Sequence, residues 1–192
     1  MSPEEALRLL GDSGAMLSGH FLLSSGRHSD RYVEKARVFE DPDTVMALGR
    51  EMASWYRDVD VVVAPAVGAI VLGFAVAAAG GARFVFAERE GEGDRMTLRR
   101  GFELRPGERA LVVEDVITTG ASAREVHELV ESSGAVSLGV AALADRSQTA
   151  PPFPLRSVIR VEAVSWDPDE CPLCRQGVEV RSTGSRRLPA GA

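Results

Sequence analysis

Glu114 and Asp115 stand side by side at the end of an apolar run, and Thr118, Thr119, Gly120 and Ser122 follow within a few residues. Ionised carboxylates only accept hydrogen bonds, whereas hydroxyls both donate and accept, so this segment offers acceptors to a diol and a cradle to an anion. Gly120 lets a ligand approach the backbone closely. A helix starting there aims free N–H groups and its positive dipole end at the loop. Such a loop fits a phosphate better than a dinucleotide. Consecutive strand residues face opposite sides, so the two acids do not form a single metal clamp; they suit sugar hydroxyls. Phosphate and diol together describe a ribose phosphate.

The elements that must hold these groups are legible from hydrophobic pattern. Leu111, Val112 and Val113 read as a strand covered on both faces, and Ser122 with Glu125 has the spacing of a helix capping box. The stretch Val61 to Ala82 carries no charge and is long enough to span a membrane, but Pro65 and four glycines argue against that. It divides instead into a strand at Val61 to Val63, a tight loop from Ala64 to Gly68, and a buried helix from Ala69 to Ala79 closed by Gly80 and Gly81. Strands are expected near Val59 to Ala64, Ala82 to Ala87, Ala110 to Val116, Leu138 to Ala144 and Val158 to Val164. Ser2, Pro3 and Glu5 open an N-terminal helix with no secretory pattern, which implies a cytoplasmic protein. Asp41 and Pro42 open another, with Val45, Leu48, Met52 and Trp55 on one face. Gly19 to Phe39 reads as irregular. This alternation predicts an α/β fold, a mainly parallel sheet with helices on both faces and ligands at its carboxyl edge.

Composition narrows the chemistry. The chain has 192 residues, 45% of them hydrophobic, and a net charge of −6. One domain with a real core is expected, and a general nucleic-acid binder is not. Lys35 is the only lysine, so cationic chemistry rests almost wholly on arginine and a lysine general base is not expected. The segment 88–101 is too polar and glycine-rich to pack and should move; a frayed tail is expected from Ser182. Cys171 and Cys174 form one Cys-x-x-Cys pair. His20, His28 and His127 show no metal-ligand spacing with it, which favours a structural thiol pair over an intersubunit metal or a redox motif.

Several segments share a further resemblance. Gly19-His20-Phe21-Leu22-Leu23-Ser24-Ser25-Gly26-Arg27-His28-Ser29, the Ala64–Gly68 loop, the Glu114–Ser122 segment, Asp145-Arg146 and Cys171-Pro172-Leu173-Cys174-Arg175-Gln176-Gly177 together resemble the orotate phosphoribosyltransferases, a branch of the type I phosphoribosyltransferases. The resemblance implies a core over about 41–165, a hood over the base site from about 14–40 and 166–181, and a mobile loop over about 88–101. It implies transfer of phosphoribosyl from 5-phosphoribosyl 1-diphosphate (PRPP) to orotate in pyrimidine biosynthesis, with Mg2+ whose direct ligands the sequence does not identify. It assigns Glu114 and Asp115 to the ribose hydroxyls, and Val116, Ile117, Thr118, Thr119, Gly120, Ala121 and Ser122 to PRPP. Thr118 and Arg146 would hold orotate. Arg89, with the two acids, would be catalytic, reaching a partner's site in trans within a homodimer. Familiar members carry Lys and His in the hood and loops, where this chain has Ser24, Gly68 and Glu90; Arg95, Arg99 and Arg100 are the available substitutes. A phosphoribosyltransferase for another base and a non-catalytic PRPP-sensing regulator are the alternatives, and the acidic balance leaves no DNA-binding module for the second. No membrane or nucleic-acid partner is expected.

Overall fold

The run of β-branched residues from Val61 and the run from Ala110 become the two central strands of a parallel sheet, each buried on both faces. The computed structural model describes residues 3–23, 26–90, 95–161 and 164–182. Ser2, Ser24, the loop centre at 91–94 and the tail beyond Ser182 lie outside these. The chain divides into two units, one of Met1–Leu9 with Phe39–Val161 and one of Leu10–Val38 with Glu162–Ala192.

In the first unit the order of elements is α3 (Pro42–Ser54), β3 (Val61–Pro65), α4 (Ile70–Gly80), β4 (Arg83–Glu90), β5 (Arg95–Leu98), β6 (Arg109–Ile117), α5 (Ala121–Ser132), β7 (Val136–Asp145) and β8 (Leu155–Arg160). The strands form one six-stranded sheet in the order β5-β4-β3-β6-β7-β8. All neighbours are parallel except β5, which returns antiparallel along β4 with Arg89 opposite Met96. From β3 the chain crosses to one side, through α4 to β4; from β6 it crosses to the other, through α5 to β7. Right-handed crossovers in opposite directions put the two helices on opposite faces. The packing agrees. Val61, Val63, Val85, Ala87, Ala110 and Val112 cluster with Ala123, Val126 and Val130 of α5, whereas Gly73 of α4 abuts Ala64 and Phe84, which lie on the alternate face.

Local sequence explains the helix ends. Asp41 caps α3 by accepting from the backbone N–H groups of Asp43 and Thr44, with Pro42 at the first helical position. Gly81, at φ 68°, closes α4 in the left-handed conformation. The two helices cross closely because α3 has Gly49 at the contact. A Cβ there would stand 2.7 Å from the Ala75 carbonyl carbon.

The structure corrects several expectations. The α4 helix is not wholly buried, since Val71 and Phe74 are exposed, as is Val67 before it. The segment 88–101 is not one unpacked loop: its described parts form the β4–β5 hairpin, and Met96 is buried against α5. Thr97 donates its hydroxyl to the Glu88 carbonyl, and the Arg100 guanidinium, bonded to Glu88, holds that carboxyl below its ordinary range. The last expected strand begins earlier, as Leu155–Arg160, and Ser165–Trp166 belong to another sheet.

That other sheet lies in the second unit and occupies the stretch read as irregular. It orders β10 (Arg181–Ser182), β1 (Met16–Leu22), β2 (His28–Val33) and β9 (Ser165–Trp166) side by side. β1 and β2 pair antiparallel, with a register shift between Ser18 and Phe21. α1 (Pro3–Asp12) precedes β1, α2 (Lys35–Phe39) follows β2, and the short α6 (Pro172–Arg175) starts just after Cys171. Arg27 fastens the β9 region by donating to the Ser165 carbonyl at 2.7 Å and to Asp167 at 2.9 Å.

This unit also gives the cysteine pair neighbours that its sequence spacing does not indicate. His20 on β1 and His28 on β2 converge on Cys171 and Cys174, with all four ligand atoms within 4.8 Å of one another. Histidines 8 residues apart carry no recognised spacing, but the antiparallel pairing brings Nε2 of His20 to 2.8 Å from Nδ1 of His28. His127 lies elsewhere, on α5, with Nδ1 2.7 Å from the Ser137 hydroxyl.

Candidate active site

A crevice is expected where neighbouring strands lead their connections to opposite sides, and in this sheet that point lies between β3 and β6. The two strands pair through Val63 and Val112. Beyond Val112 the register of β6 continues along β7 to Ile117. The carboxyl end of β3 gives the Ala66–Gly68 turn, whose first N–H donates to the Ala87 carbonyl at 2.8 Å. The carboxyl end of β6 gives the Thr118–Gly120 turn.

Glu114 and Asp115 lie just before that turn. Both are buried, at 8% and 5% exposure. An Oε1 of Glu114 accepts from the Asp115 N–H at 3.0 Å, and Oδ1 of Asp115 accepts from the Val116 N–H at 2.5 Å. These backbone donors fix the carboxylates in place. Ile117 is buried beneath the turn, Val116 is half-buried, and Thr118 and Thr119 are exposed. Gly120 takes φ +73°, and a Cβ on it would come within 3.3 Å of Phe153. Both the backbone conformation and the space call for glycine.

α5 begins at Ala121 with Gly120 as its cap and no side-chain cap bond. The expected Ser122–Glu125 capping box is therefore absent. Glu125 is drawn away by Arg89 at the end of β4, whose Nη1 and Nη2 donate to the carboxylate at 3.0 and 3.2 Å in a two-point fork. The same carboxylate accepts from the Met96 N–H at 3.2 Å, tying hairpin and helix together. Nη2 of Arg89 also reaches the Ser122 hydroxyl at 3.4 Å. Arg89 thus lies beside the first turn of α5 in its own chain. The Ala121 N–H donates weakly to the Thr119 hydroxyl at 3.4 Å; the first-turn N–H groups, with the Thr118, Thr119 and Ser122 hydroxyls, supply donors for an anion.

Arg146 follows β7, next to β6, and its N–H donates to the Ile117 carbonyl at 2.8 Å. Its side chain is half-buried at the same sheet edge as Thr118. Asp145 does not need Arg146 as its partner. Its Oδ1 accepts from the Ser147 N–H and hydroxyl at 2.8 and 2.6 Å, and its Oδ2 accepts from Arg160 at 2.7 Å. These contacts to the following residues hold the turn that carries Arg146. Ser147 and Arg160 were not singled out from sequence, and the only signal for them was their nearness to Asp145 in the chain or sheet.

Of the substitute cations, Arg100 is engaged by Glu88, with its Nε and Nη2 at 3.0 Å from that carboxylate. Arg95 opens β5 and is exposed, as is Arg99 after it. Gly68 lies in the turn after β3.

Comparison with known proteins places the chain among related folds. The family described as phosphoribosyl transferase domain matches residues 39–167. An orotate phosphoribosyltransferase of Pelotomaculum thermopropionicum is 47% identical over 98% of this chain and 100% of that protein. One of Thermotoga petrophila is 47% identical over 94% of this chain and 97% of its own length. Among solved structures, an orotate phosphoribosyltransferase from Aeropyrum pernix superposes with a TM-score of 0.68 at 26% identity, covering 81% of this chain and 93% of that one.

Proposed function

Since the chain belongs to the orotate phosphoribosyltransferases of the phosphoribosyl transferase family, we propose that it transfers the phosphoribosyl group of PRPP to N1 of orotate, giving orotidine 5-monophosphate and diphosphate. The observation that carries the reading is the pair of buried carboxylates beside an uncapped helix start, at the switch point of a parallel sheet. The Thr118–Ser122 segment binds the 5-phosphate, and Glu114 and Asp115 accept from the ribose hydroxyls. The C1–oxygen bond to diphosphate breaks as the C1–N1 bond forms, and N1 of orotate gives up its proton. Positive charge grows on the ribose ring during this step. Fixed carboxylates near it stabilise the transition state more than the ground state.

Magnesium belongs to this reading as a complex with the diphosphate. The donors fit: Glu114 and Asp115 are hard oxygen ligands at the crevice, and their backbone bonds leave further lone pairs for sugar hydroxyls or magnesium-bound water. The ion, when bound, neutralises charge on the leaving diphosphate. Arg146 pairs with the orotate carboxylate, the group that distinguishes this base from uracil and the purines, and Thr118 adds a hydroxyl. The place of action is the cytoplasm; among the described residues no helix is long and apolar enough to cross a membrane.

The decisive assay incubates the protein with PRPP, magnesium and one base at a time, following diphosphate release. Release with orotate and not with uracil, adenine, guanine or hypoxanthine is expected. Release with a purine alone would overturn the assignment.

The working unit is a homodimer. An exposed apolar stripe of Val67, Val71 and Phe74 supports this, since the turn before α4 and the start of that helix present it to solvent in a single chain. Arg89 serves the partner's site when its bond to Glu125 opens. That pair is partly exposed, so opening it costs about 1 kcal/mol or less, small beside the gain from neutralising a diphosphate. Mixing an Arg89→Ala chain with an Asp115→Asn chain tests the arrangement. Activity should rise above the sum of the separate variants, because one site of each mixed dimer then has an intact acid pair and an intact arginine. Summed activity alone, with mixed dimers demonstrated by sedimentation and mass, would assign Arg89 to its own chain's site.

A further inference from the structure

The second unit holds a cluster that the transferase chemistry does not use. His20, His28 and Cys171 are buried at 1%, 7% and 0% exposure, and Cys174 is exposed at the edge. The Cys171 sulfur lies 3.4 Å from Nε2 of His20; the Cys174 sulfur lies 3.8 Å from the same nitrogen and 3.3 Å from Nδ1 of His28. A tetrahedron with zinc–nitrogen bonds of about 2.0–2.1 Å and zinc–sulfur bonds of about 2.3 Å places its vertices roughly 3.3–3.8 Å apart. The three sulfur–nitrogen separations match that range. The two nitrogens, at 2.8 Å, need to part slightly.

Hydrogen bonding orients the ligands as well. Nδ1 of His20 lies 2.7 Å from the Val178 carbonyl, which can only accept, so Nδ1 carries the proton and Nε2 presents its lone pair to the cluster. A carbonyl behind a ligating imidazole is the usual support that fixes its tautomer and ring orientation. Two imidazoles and two thiols thus converge, with no carboxylate in the set.

We propose that this unit binds one structural zinc ion through Nε2 of His20, Nδ1 of His28 and the sulfurs of Cys171 and Cys174. Binding releases both thiol protons to solvent, and two thiolates with Zn2+ leave a complex of zero net charge, which suits a largely buried site. Two sulfurs and two nitrogens in tetrahedral array favour zinc over magnesium, which requires oxygen ligands and an octahedral shell. The ion has a structural reason to be there. The unit joins Leu10–Val38 to Glu162–Ala192, fewer than the roughly 70–80 residues at which a hydrophobic core suffices without a staple. Two of its four strands have only two residues each. The ligands come from both segments, so the metal ties a chain separation of 151 residues between His20 and Cys171. Four ligands close the coordination shell, leaving no open position for substrate.

The test uses the whole chain, purified without a histidine tag and with reductant. Elemental analysis should find about one zinc per chain. After zinc is stripped by a chelator, cobalt(II) should restore one equivalent with intense tetrahedral bands and thiolate-to-cobalt charge transfer. Chelation should lower the midpoint of thermal unfolding, and zinc, unlike magnesium, should return it. Cys174→Ser changes the exposed ligand and should reduce bound zinc at least about tenfold. Should that variant fold poorly, the wild-type cobalt spectrum decides by itself. Absence of zinc together with an octahedral cobalt spectrum, a different metal at one per chain, or a Cys171–Cys174 disulfide in the reduced preparation would each overturn the proposal. None of these readings depends on transferase activity, so the assignment to orotate and the zinc site fail separately.

Discussion

Asp115→Asn is expected to lower kcat by about 10²–10³-fold while leaving the fold intact, because a fixed charge aimed at a developing charge contributes on the order of 3–4 kcal/mol to the barrier. Asp115 is 5% exposed, and its carboxylate is anchored by the Val116 N–H. An asparagine has the same size, and its carbonyl oxygen keeps that acceptor role, so the substitution isolates the charge from the packing. Steady-state rates at saturating and limiting PRPP, with a thermal melt as control, measure it. A change confined to KM for PRPP would make Asp115 a binding group with no part in stabilising the transition state. Near-wild-type turnover at both PRPP concentrations would remove the acid from the site.

Arg146→Ala should raise KM for orotate by roughly thirtyfold and leave KM for PRPP within about twofold, since truncating one partner of a hydrogen-bonded charge pair costs at least about 2 kcal/mol. The lower end of the range applies because Arg146 is half-buried. Its backbone bond to Ile117 survives in alanine, and the turn is held separately by Asp145, Ser147 and Arg160, so the loop need not collapse. Arg146→Lys should recover only part of the loss, as an ammonium offers a point charge without a planar fork. Equal losses for both substrates would move Arg146 out of the base pocket.

The strand-to-loop segment at Glu114–Ser122 was readable in the sequence because its signals are local: a continuous apolar run, adjacent acids, and a glycine whose φ of +73° the turn requires. The core strands and α3 to α5 followed from periodicity for the same reason. What escaped depended on partners distant in sequence. β1 is interrupted by a register shift between Ser18 and Phe21 that breaks the alternation on which strand recognition relies. Strand β5 gains its order from β4, from Glu125 and from the burial of Met96 against α5, contacts that are distant in sequence. Glu125 had the right spacing for a cap, yet a nearby guanidinium offered a charged two-point bond that a backbone N–H does not match. The histidine pair is visible only once β1 and β2 are placed in register.

The second unit is built from segments that flank Phe39–Val161 of the first, and this imposes an order on synthesis. As the chain leaves the ribosome, Leu10–Val38 emerges early and must wait while all of Phe39–Val161 is made, because β9, β10 and both cysteines come afterwards. During that interval β1 and β2 form at most a two-stranded hairpin, which is marginal in water, and neither edge has its eventual neighbour. The parallel sheet has no such delay once β8 is out, since all its strands lie between residues 61 and 160. Nascent chains arrested after Val161 should therefore acquire a protease-resistant core while the early segment stays cleavable, and protection of Leu10–Val38 should arrive only with the release of residues beyond Cys174.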